Sequence, residues 1–186
     1  MPLGRMLLAA VVFAASGPCF AENPTSLLTS MVGTWDVAQR MWPGPKTEPM
    51  KLPAAVAQRQ MVRSEYLEET MRAADETGGF VRNTLFNYNP VTSRYEYTSL
   101  DTRAPQLMVE QSERMKPEGI GAELKLQGAT FVAPEWGKFK NTRFRYRLTV
   151  SPVVNATQTV RLYLTPETIL PKREFLAFEY VYTKRP

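Results

Sequence analysis

The sequence predicts an all-β fold, an antiparallel up-and-down β-barrel of about ten strands preceded by a short N-terminal helix. The first supporting observation is that short segments with apolar residues at alternate positions recur along the chain after residue 33. The second is that turn-forming residues separate these segments at spacings of about 10–15 residues. Because an open meander of this length leaves two unpaired edge strands, we expect the sheet to close on itself.

The composition is that of a folded globular protein, and it excludes several classes of enzyme. The chain has 186 residues, of which 44% are hydrophobic and 22% are charged. Histidine is absent and the only cysteine is Cys19. Ser-His-Asp and Cys-His mechanisms are therefore excluded, as are His-ligated zinc and haem sites. We expect no cofactor and no bound metal.

Residues 1–21 have the pattern of a secretory signal peptide. Arg5 supplies the basic start, a run of ten apolar residues follows, and Cys19-Phe20-Ala21 places small residues at the cleavage positions. A membrane-spanning helix needs about 20 apolar residues, so no transmembrane segment is expected. We expect cleavage before Glu22, a single barrel domain at residues 22–186, and a periplasmic or secreted protein. Lipidation of Cys19 is the open alternative.

The first predicted elements are a helix at Ser26–Met31, which Gly33 ends, and a strand from Trp35 to Met41. Apolar and polar residues alternate along that strand, as expected of a strand with one buried face. Four prolines between Trp42 and Pro53 predict an irregular loop, because proline donates no hydrogen bond to a β-ladder.

Nine further strands are predicted after that loop. They are Ala54–Val62, Tyr66–Ala73, Phe80–Asn87, Tyr95–Leu100, Gln106–Met115, Ala122–Gln127, Thr142–Ser151, Thr157–Thr165 and Glu174–Thr183. In Thr142–Ser151 apolar residues alternate with arginines, so the apolar side chains are expected inside the barrel. Glu174–Thr183 is apolar on both faces, and we expect the helix or a partner chain to cover its outer face.

The motif Gly33-Thr34-Trp35 follows the predicted helix and opens the first strand, as the G-x-W motif does in lipocalin-like barrels. The resemblance implies that the indole of Trp35 closes one end of the barrel. It also implies that a basic residue at the end of the last strand, Lys184 or Arg185, lies on that indole as a cation–π partner. Gly33, Trp35, Lys184 and Arg185 would then be structural and not catalytic.

A longer set of motifs resembles the uncharacterised bacterial family catalogued as domain of unknown function 1579. The matching motifs are Gly33-Thr34-Trp35-Asp36-Val37, Met41-Trp42-Pro43-Gly44-Pro45, Glu48-Pro49, Tyr88-Asn89-Pro90-Val91-Thr92, Arg94-Tyr95 and Ser99-Leu100-Asp101. The chain departs from the family's G-Y-D turn at Asn87 and Asn89, and Leu100 stands where the family has a tryptophan. The resemblance covers about residues 27–184. It implies a lipocalin-like barrel and no established activity.

The favoured function is non-catalytic binding of a small hydrophobic or amphipathic ligand in the barrel. A barrel of this size encloses a lumen, and an apolar lining with phenol hydroxyls suits an amphipathic molecule. The candidate ligand-binding residues are Trp42, Tyr88, Tyr146, Leu148 and Tyr180. For Trp42 and the tyrosines, a purely structural role in the core is the alternative.

Two other functions stay open. Arg143, Arg145 and Arg147 form a one-sided basic stripe, which could make the protein an envelope interaction module for anionic lipid or polysaccharide. A formal net charge of only +5 argues against a nucleic-acid partner. No oligomeric state is predicted.

The third function is an atypical hydrolase or isomerase without histidine or cysteine. It would use carboxylates brought together across strands, although we expect the acids of the chain to be scattered over the surface. Those acids are Glu68, Glu69, Asp101, Glu110 and Glu113. No catalytic residue is assigned.

Overall fold

Strands with alternating buried and exposed side chains close the chain into a barrel. The computed structural model describes residues 25–75, 79–115, 121–168 and 172–186. Each strand pairs antiparallel with its neighbours in sequence, and the first pairs with the last. The elements are α1 (Thr25–Ser30), β1 (Gly33–Met41), β2 (Met50–Val62), β3 (Tyr66–Ala73), β4 (Val81–Asn89), β5 (Arg94–Asp101), β6 (Ala104–Ser112), β7 (Leu124–Trp136), β8 (Phe139–Val150), β9 (Thr157–Pro166) and β10 (Phe175–Lys184). The predicted all-β up-and-down barrel with one short helix is confirmed.

The predicted signal peptide lies outside the described residues, as do Cys19 and the predicted cleavage site before Glu22. Within the described part of the chain, no helix has the length and hydrophobicity needed to cross a lipid bilayer.

Two strands, β2 and β7, extend at least four residues beyond one of their predicted ends. β2 begins at Met50, so the irregular loop ends at Pro49 and Pro53 lies within the strand. The register between β1 and β2 shifts at this point, and the carbonyl of Pro53 accepts a hydrogen bond of 2.7 Å from the Gln39 side chain. β7 continues to Trp136, beyond a register shift that follows Gln127.

The last strand does not present an apolar outer face. A register shift between Leu176 and Phe178 turns Ala177 and Phe178 both toward the interior, and Phe175 is buried as well. Neither the helix nor a partner chain is therefore needed to cover the outer face of this strand, contrary to the prediction. α1 instead packs against β3 and β4, at the end of the barrel where β1 begins.

Trp35 lies at the α1 end of the barrel and is completely buried. Its indole nitrogen donates a hydrogen bond of 2.9 Å to the carbonyl of Met31. The Lys184 Nζ atom lies 5.6 Å from the indole centroid, whereas Arg185 turns outward and pairs with Asp36 at 2.7 Å. Gly33 has a φ of 134°, and a Cβ atom there would lie 2.8 Å from Lys184 Cε. That these residues close the barrel end stays a prediction.

Candidate functional site

Polar side chains form a continuous row around part of the inner barrel wall. Arg59 on β2 is the cross-strand partner of Glu69 on β3, and Glu69 is the partner of Thr84 on β4. Thr84 in turn pairs with Ser99 on β5. All four side chains are buried. Because alternate residues of a strand share one face, these polar residues occupy positions that otherwise hold the core.

A buried carboxylate joins two buried guanidinium groups in this row. Glu69 accepts one bond of 2.6 Å from Arg59 Nε and another of 2.6 Å from Arg82 Nη2. Arg82 Nη2 also donates to the hydroxyl of Tyr182 at 2.6 Å. Burial alone would raise the pKa of Glu69, but the two guanidiniums outweigh it and lower that pKa to about 2. We call Arg59, Glu69, Arg82 and Tyr182 the arginine cluster.

Aromatic rings cover both guanidinium groups of the arginine cluster. The Arg59 guanidinium carbon lies 4.0 Å from the centroid of Tyr182 and 5.3 Å from that of Trp35. The Arg82 guanidinium carbon lies 4.3 Å from the centroid of Tyr180. Such cation–π contacts are strongest away from water, so they help to retain positive charge inside the barrel.

Glu110 adds a second buried carboxyl group near Arg82. It is 1% exposed, and its Oε2 atom has no hydrogen-bond partner among the described residues. Arg82 Nε is likewise without a partner there. Burial raises the pKa of Glu110 to about 8, although Arg82 opposes the rise. Glu110 is therefore largely protonated at neutral pH, and the arginine cluster with Glu110 carries a net charge of +1.

Side chains fill most of the barrel interior. A cavity of about 20 Å³ lies beside Arg59, Glu69 and Tyr97, which is room for about one water molecule. One apolar cluster includes Trp35, and a second surrounds Phe144. A molecule larger than water can enter this interior only if side chains move.

The barrel wall is weakest between β6 and β7. These strands share three residue pairs, whereas β7 and β8 share ten. The pairing ends at Glu110 and Gly128, and we call the stretch beyond them, between residues 104–109 and 129–136, the β6–β7 seam. Two side chains bridge it. The Tyr146 hydroxyl lies 3.2 Å from both the nitrogen and the oxygen of Val109, and Gln106 donates to the carbonyl of Val132 at 2.9 Å.

The comparison with protein families places this barrel among related chains. A family model described as a protein of unknown function (DUF1579) matches residues 21–157. The chain belongs to the DUF1579 family. The match ends at the first residue of β9, so β9 and β10, which close the DUF1579 barrel and supply Tyr180 and Tyr182, lie beyond it. A search of curated proteins gave no match.

The DUF1579 barrel buries three of the five predicted ligand-binding residues. Leu148 and Tyr180 are buried in the larger apolar cluster, and Tyr146 spans the β6–β7 seam. Trp42 lies in the loop after β1, at the end of the barrel opposite α1, and its carbonyl accepts a hydrogen bond from the Trp136 side chain. Tyr88 lies at the α1 end against Tyr95. The five residues do not form one site.

A groove lies outside the barrel, against the outer face of β4. It has a volume of about 730 Å³ and is lined by Tyr66, Leu85 and Tyr88 together with the adjoining turns. Thr25, the first residue of α1, lies at its edge. This outer groove is separate from the arginine cluster, and it provides an alternative position for an apolar molecule.

The predicted basic stripe does face outward, but acids neutralise part of it. Arg147 pairs with Glu174 at 2.6 Å and lies 4.1 Å from the ring centroid of Tyr163. Arg145 lies 3.5 Å from Glu167. Two of the three arginines therefore have acidic partners, which weakens the stripe as a surface for anionic lipid or polysaccharide.

The expectation that the acids are scattered over the surface is wrong for Glu69 and Glu110, which are both buried. Strand alternation contained the signal, since Glu69 lies between Leu67 and Met71 on the inward face of β3. The same reasoning would have placed Arg82 inside with Phe86. Among the described residues, no group of three acids is arranged to hold a metal ion.

Side-chain hydrogen bonds hold the turn between β4 and β5, where the sequence departs from the family's G-Y-D motif. Asn89 Oδ1 accepts hydrogen bonds from the backbone nitrogens of Val91 and Thr92 at 3.0 and 3.3 Å, as an aspartate would. The Asn87 and Asn89 amide nitrogens both donate to Glu96. The turn is therefore a structural feature of the barrel end.

Proposed function

We propose that this DUF1579 protein binds a small hydrophobic or amphipathic molecule inside its barrel, without transforming it, and that the molecule enters through the β6–β7 seam. The observation that carries the proposal is the short backbone pairing between β6 and β7 in the barrel wall. At the seam, two side-chain bridges stand where a continuous backbone ladder would otherwise join the strands.

Opening the seam requires little bonding to be lost. Each bridging hydrogen bond contributes about 0.5–1.5 kcal/mol, because water replaces it when it breaks. The bond between Tyr146 and Val109 joins a side chain to the backbone, so breaking it removes none of the β6–β7 backbone pairs. Rings of the second apolar cluster lie next to Tyr146. The ring centroids of Phe131 and Tyr146 are 5.7 Å apart, and Phe131 stacks on Phe144. The path thus leads from the seam to an apolar interior.

The surface around the seam suits an apolar or amphipathic molecule. Leu107 is 69% exposed, and Val109 and Val132 are 44% and 43% exposed on the two sides of the seam. Neighbouring exposed apolar residues of this kind are common where ligands are taken up. Leu107 and Val109 are on β6 and Val132 is on β7, so the patch spans the opening.

The proposal is tested by titrating the protein with the uncharged fluorescent probe N-phenyl-1-naphthylamine. We expect binding at one probe per chain, and we expect Leu148→Trp to weaken it because the larger ring takes up interior volume. Tyr146→Phe, which removes only the bridging hydroxyl, should speed probe association. Circular dichroism checks that each variant is folded.

Leu85→Ser is the matched control, because Leu85 lines the outer groove and not the interior. It should leave probe binding unchanged. Loss of binding in Leu85→Ser together with normal binding in Leu148→Trp would assign the probe to the outer groove. Absence of binding in the wild type would refute the proposal.

The enzyme alternative has one observation in its favour, the buried and protonated Glu110. A carboxyl with a raised pKa is suited to general acid catalysis. Mass spectrometry of a co-purified molecule distinguishes the binding protein from the enzyme, because only an enzyme would change that molecule.

We also propose that the protein is exported, as the pattern of residues 1–21 indicates. The mature chain is then expected to begin at Glu22. Intact mass of the protein recovered from its own cells measures this. A diacylglyceryl adduct on Cys19 would show instead that the leader is that of a lipoprotein.

A further inference from the structure

We infer that the molecule bound inside the barrel carries an oxoanion head group, such as a carboxylate or a phosphate, which is held between Arg82 and Glu110. The inference rests on the proposed function and adds the chemical class of the ligand. It is independent of the apolar lining, since it concerns only the polar groups just inside the β6–β7 seam.

The hydrogen bonds of Arg82 leave its Nε donor available for a ligand. Its Nη2 atom bonds Glu69 and Tyr182, both at 2.6 Å. Its Nε atom is buried and has no partner in the part of the chain that the structure describes. A buried N–H group without an acceptor is unfavourable, so an oxoanion oxygen at this position would satisfy it.

Glu110 supplies a second buried polar atom that lacks a hydrogen-bond partner in the described part of the chain. Its Oε2 atom is also buried and has no partner among the described residues. In its protonated form Glu110 is a hydrogen-bond donor, and an oxoanion accepts from such a donor. Arg82 and Glu110 are close enough for their charges to interact, although no hydrogen bond joins them.

The surroundings of Glu110 favour the neutral form. On β5 its cross-strand neighbour is Tyr97, on β7 it is Gly128, and Tyr146 approaches from β8. Burial raises the pKa of both tyrosines above the usual value, so neither carries charge near neutral pH. Arg82 is the charged group that acts on Glu110, and it pulls the pKa down without restoring the ordinary value.

Charge balance points the same way. Arg59 and Arg82 share one carboxylate, that of Glu69, which leaves one positive charge in the arginine cluster. A buried net charge is unfavourable, and an anionic head group neutralises it. Glu110 pairs with Gly128 at the end of the β6–β7 ladder, so the head group would lie just inside the seam.

Two probes with the same aromatic framework test the inference. 1-Anilinonaphthalene-8-sulfonate carries a sulfonate, and N-phenyl-1-naphthylamine does not. At pH 6.5 we expect the sulfonate to bind about tenfold more tightly, as charge-assisted hydrogen bonds favour it. Arg82→Gln should abolish the preference. Glu110→Gln retains an N–H donor at every pH, so it should keep the preference.

The pH profile supplies a readout that survives if Arg82→Gln fails to fold. Ionised Glu110 repels an anion, so the wild-type preference for the sulfonate should fall as pH rises through about 8. Glu110→Gln should show no such fall. A preference with the same pH dependence in both proteins would overturn the inference.

Arg145→Gln is the control on the outer wall, and it should leave the preference intact. If it removes the preference, the sulfonate binds the basic stripe and the inference is wrong. Equal affinity for both probes also overturns the inference while the proposed function stands, whereas binding of neither probe refutes the proposed function. Displacement of the sulfonate by dodecanoate or by dodecyl phosphate identifies which oxoanion the site prefers.

Discussion

The ring of Tyr146 occupies the space in which any side chain on Gly128 would lie. A Cβ atom at residue 128 would overlap the Cε2 and Cζ atoms of that ring. Gly128 is also the last β7 residue paired with β6. The glycine therefore allows Tyr146 to cross β7 and reach Val109, so one missing side chain determines how the β6–β7 seam is closed.

Gly128→Ala is expected to destabilise the protein by about 1–3 kcal/mol, the usual effect of overpacking. The added methyl group must displace the Tyr146 ring, and the hydroxyl then loses its contacts with Val109. Urea unfolding measures the change. Tyrosine hydroxyl exposure, followed by ultraviolet difference spectroscopy, should rise in the variant.

Gly121→Ala is the matched control for this substitution. Among the described residues other than Gly121 and its chain neighbours, no atom lies within 4 Å of the position of a Cβ atom on Gly121, and the φ of Gly121 is not in the left-handed region. We expect stability within about 0.5 kcal/mol of the wild type. An unchanged urea midpoint for Gly128→Ala would show that Tyr146 does not depend on the glycine.

The fold could be predicted from sequence because its signals are local. Alternation and turns identified every strand, and Tyr66–Ala73 matches β3 at both ends. The longer reach of β7 was missed because Gly128 and Pro134 interrupt its pattern. The inward turn of Ala177 was also missed, since a register shift depends on pairing with β9 and leaves no mark in the strand itself.

The site was harder to predict because it depends on contacts between distant residues. Arg82 and Tyr182 are 100 positions apart in the chain, and Arg59 and Gln158 are 99 apart. Alternation could have placed each polar side chain inside the barrel. It could not have shown that two arginines share Glu69, because that depends on side-chain length and direction across the lumen.

Trp35→Ala is expected to reduce stability by about 3–5 kcal/mol, the range for emptying a large buried aromatic position. The indole is completely buried and packs edge-on against Tyr182 at 6.3 Å. Urea unfolding with tyrosine fluorescence measures the loss. A midpoint equal to that of the wild type would mean that Trp35 does not support this end of the barrel.

Glu69→Gln is expected to reduce stability at pH 7 by about 3–5 kcal/mol, because it leaves two buried guanidiniums without their carboxylate. Arg59 and Arg82 hold the pKa of Glu69 in the folded protein at about 2, below its ordinary value of 4.5. The stabilisation is therefore present above about pH 4.5 and is lost as pH falls toward 2. Unfolding at pH 7 and pH 3 should show a smaller difference between variant and wild type at the lower pH. Equal differences would contradict this role of Glu69.

Glu110→Gln is expected to make the protein less sensitive to rising pH. In the folded state burial raises the pKa of Glu110 to about 8, above its ordinary value of 4.5. Between these values the unfolded chain releases a proton that the folded chain keeps, so the contribution of Glu110 to stability is complete below about pH 4.5 and is lost as pH rises through 8. The slope is at most about 1.4 kcal/mol per pH unit.

Glutamine cannot titrate, so the free energy of unfolding of the Glu110→Gln variant should rise relative to that of the wild type from pH 5 to pH 8. Glu113→Gln, at an exposed acid three residues along the chain, controls for the loss of one carboxylate and should show no such gain. Parallel pH profiles for Glu110→Gln and the wild type would mean that Glu110 is ionised in the folded protein, and it would then oppose an anionic head group at this position.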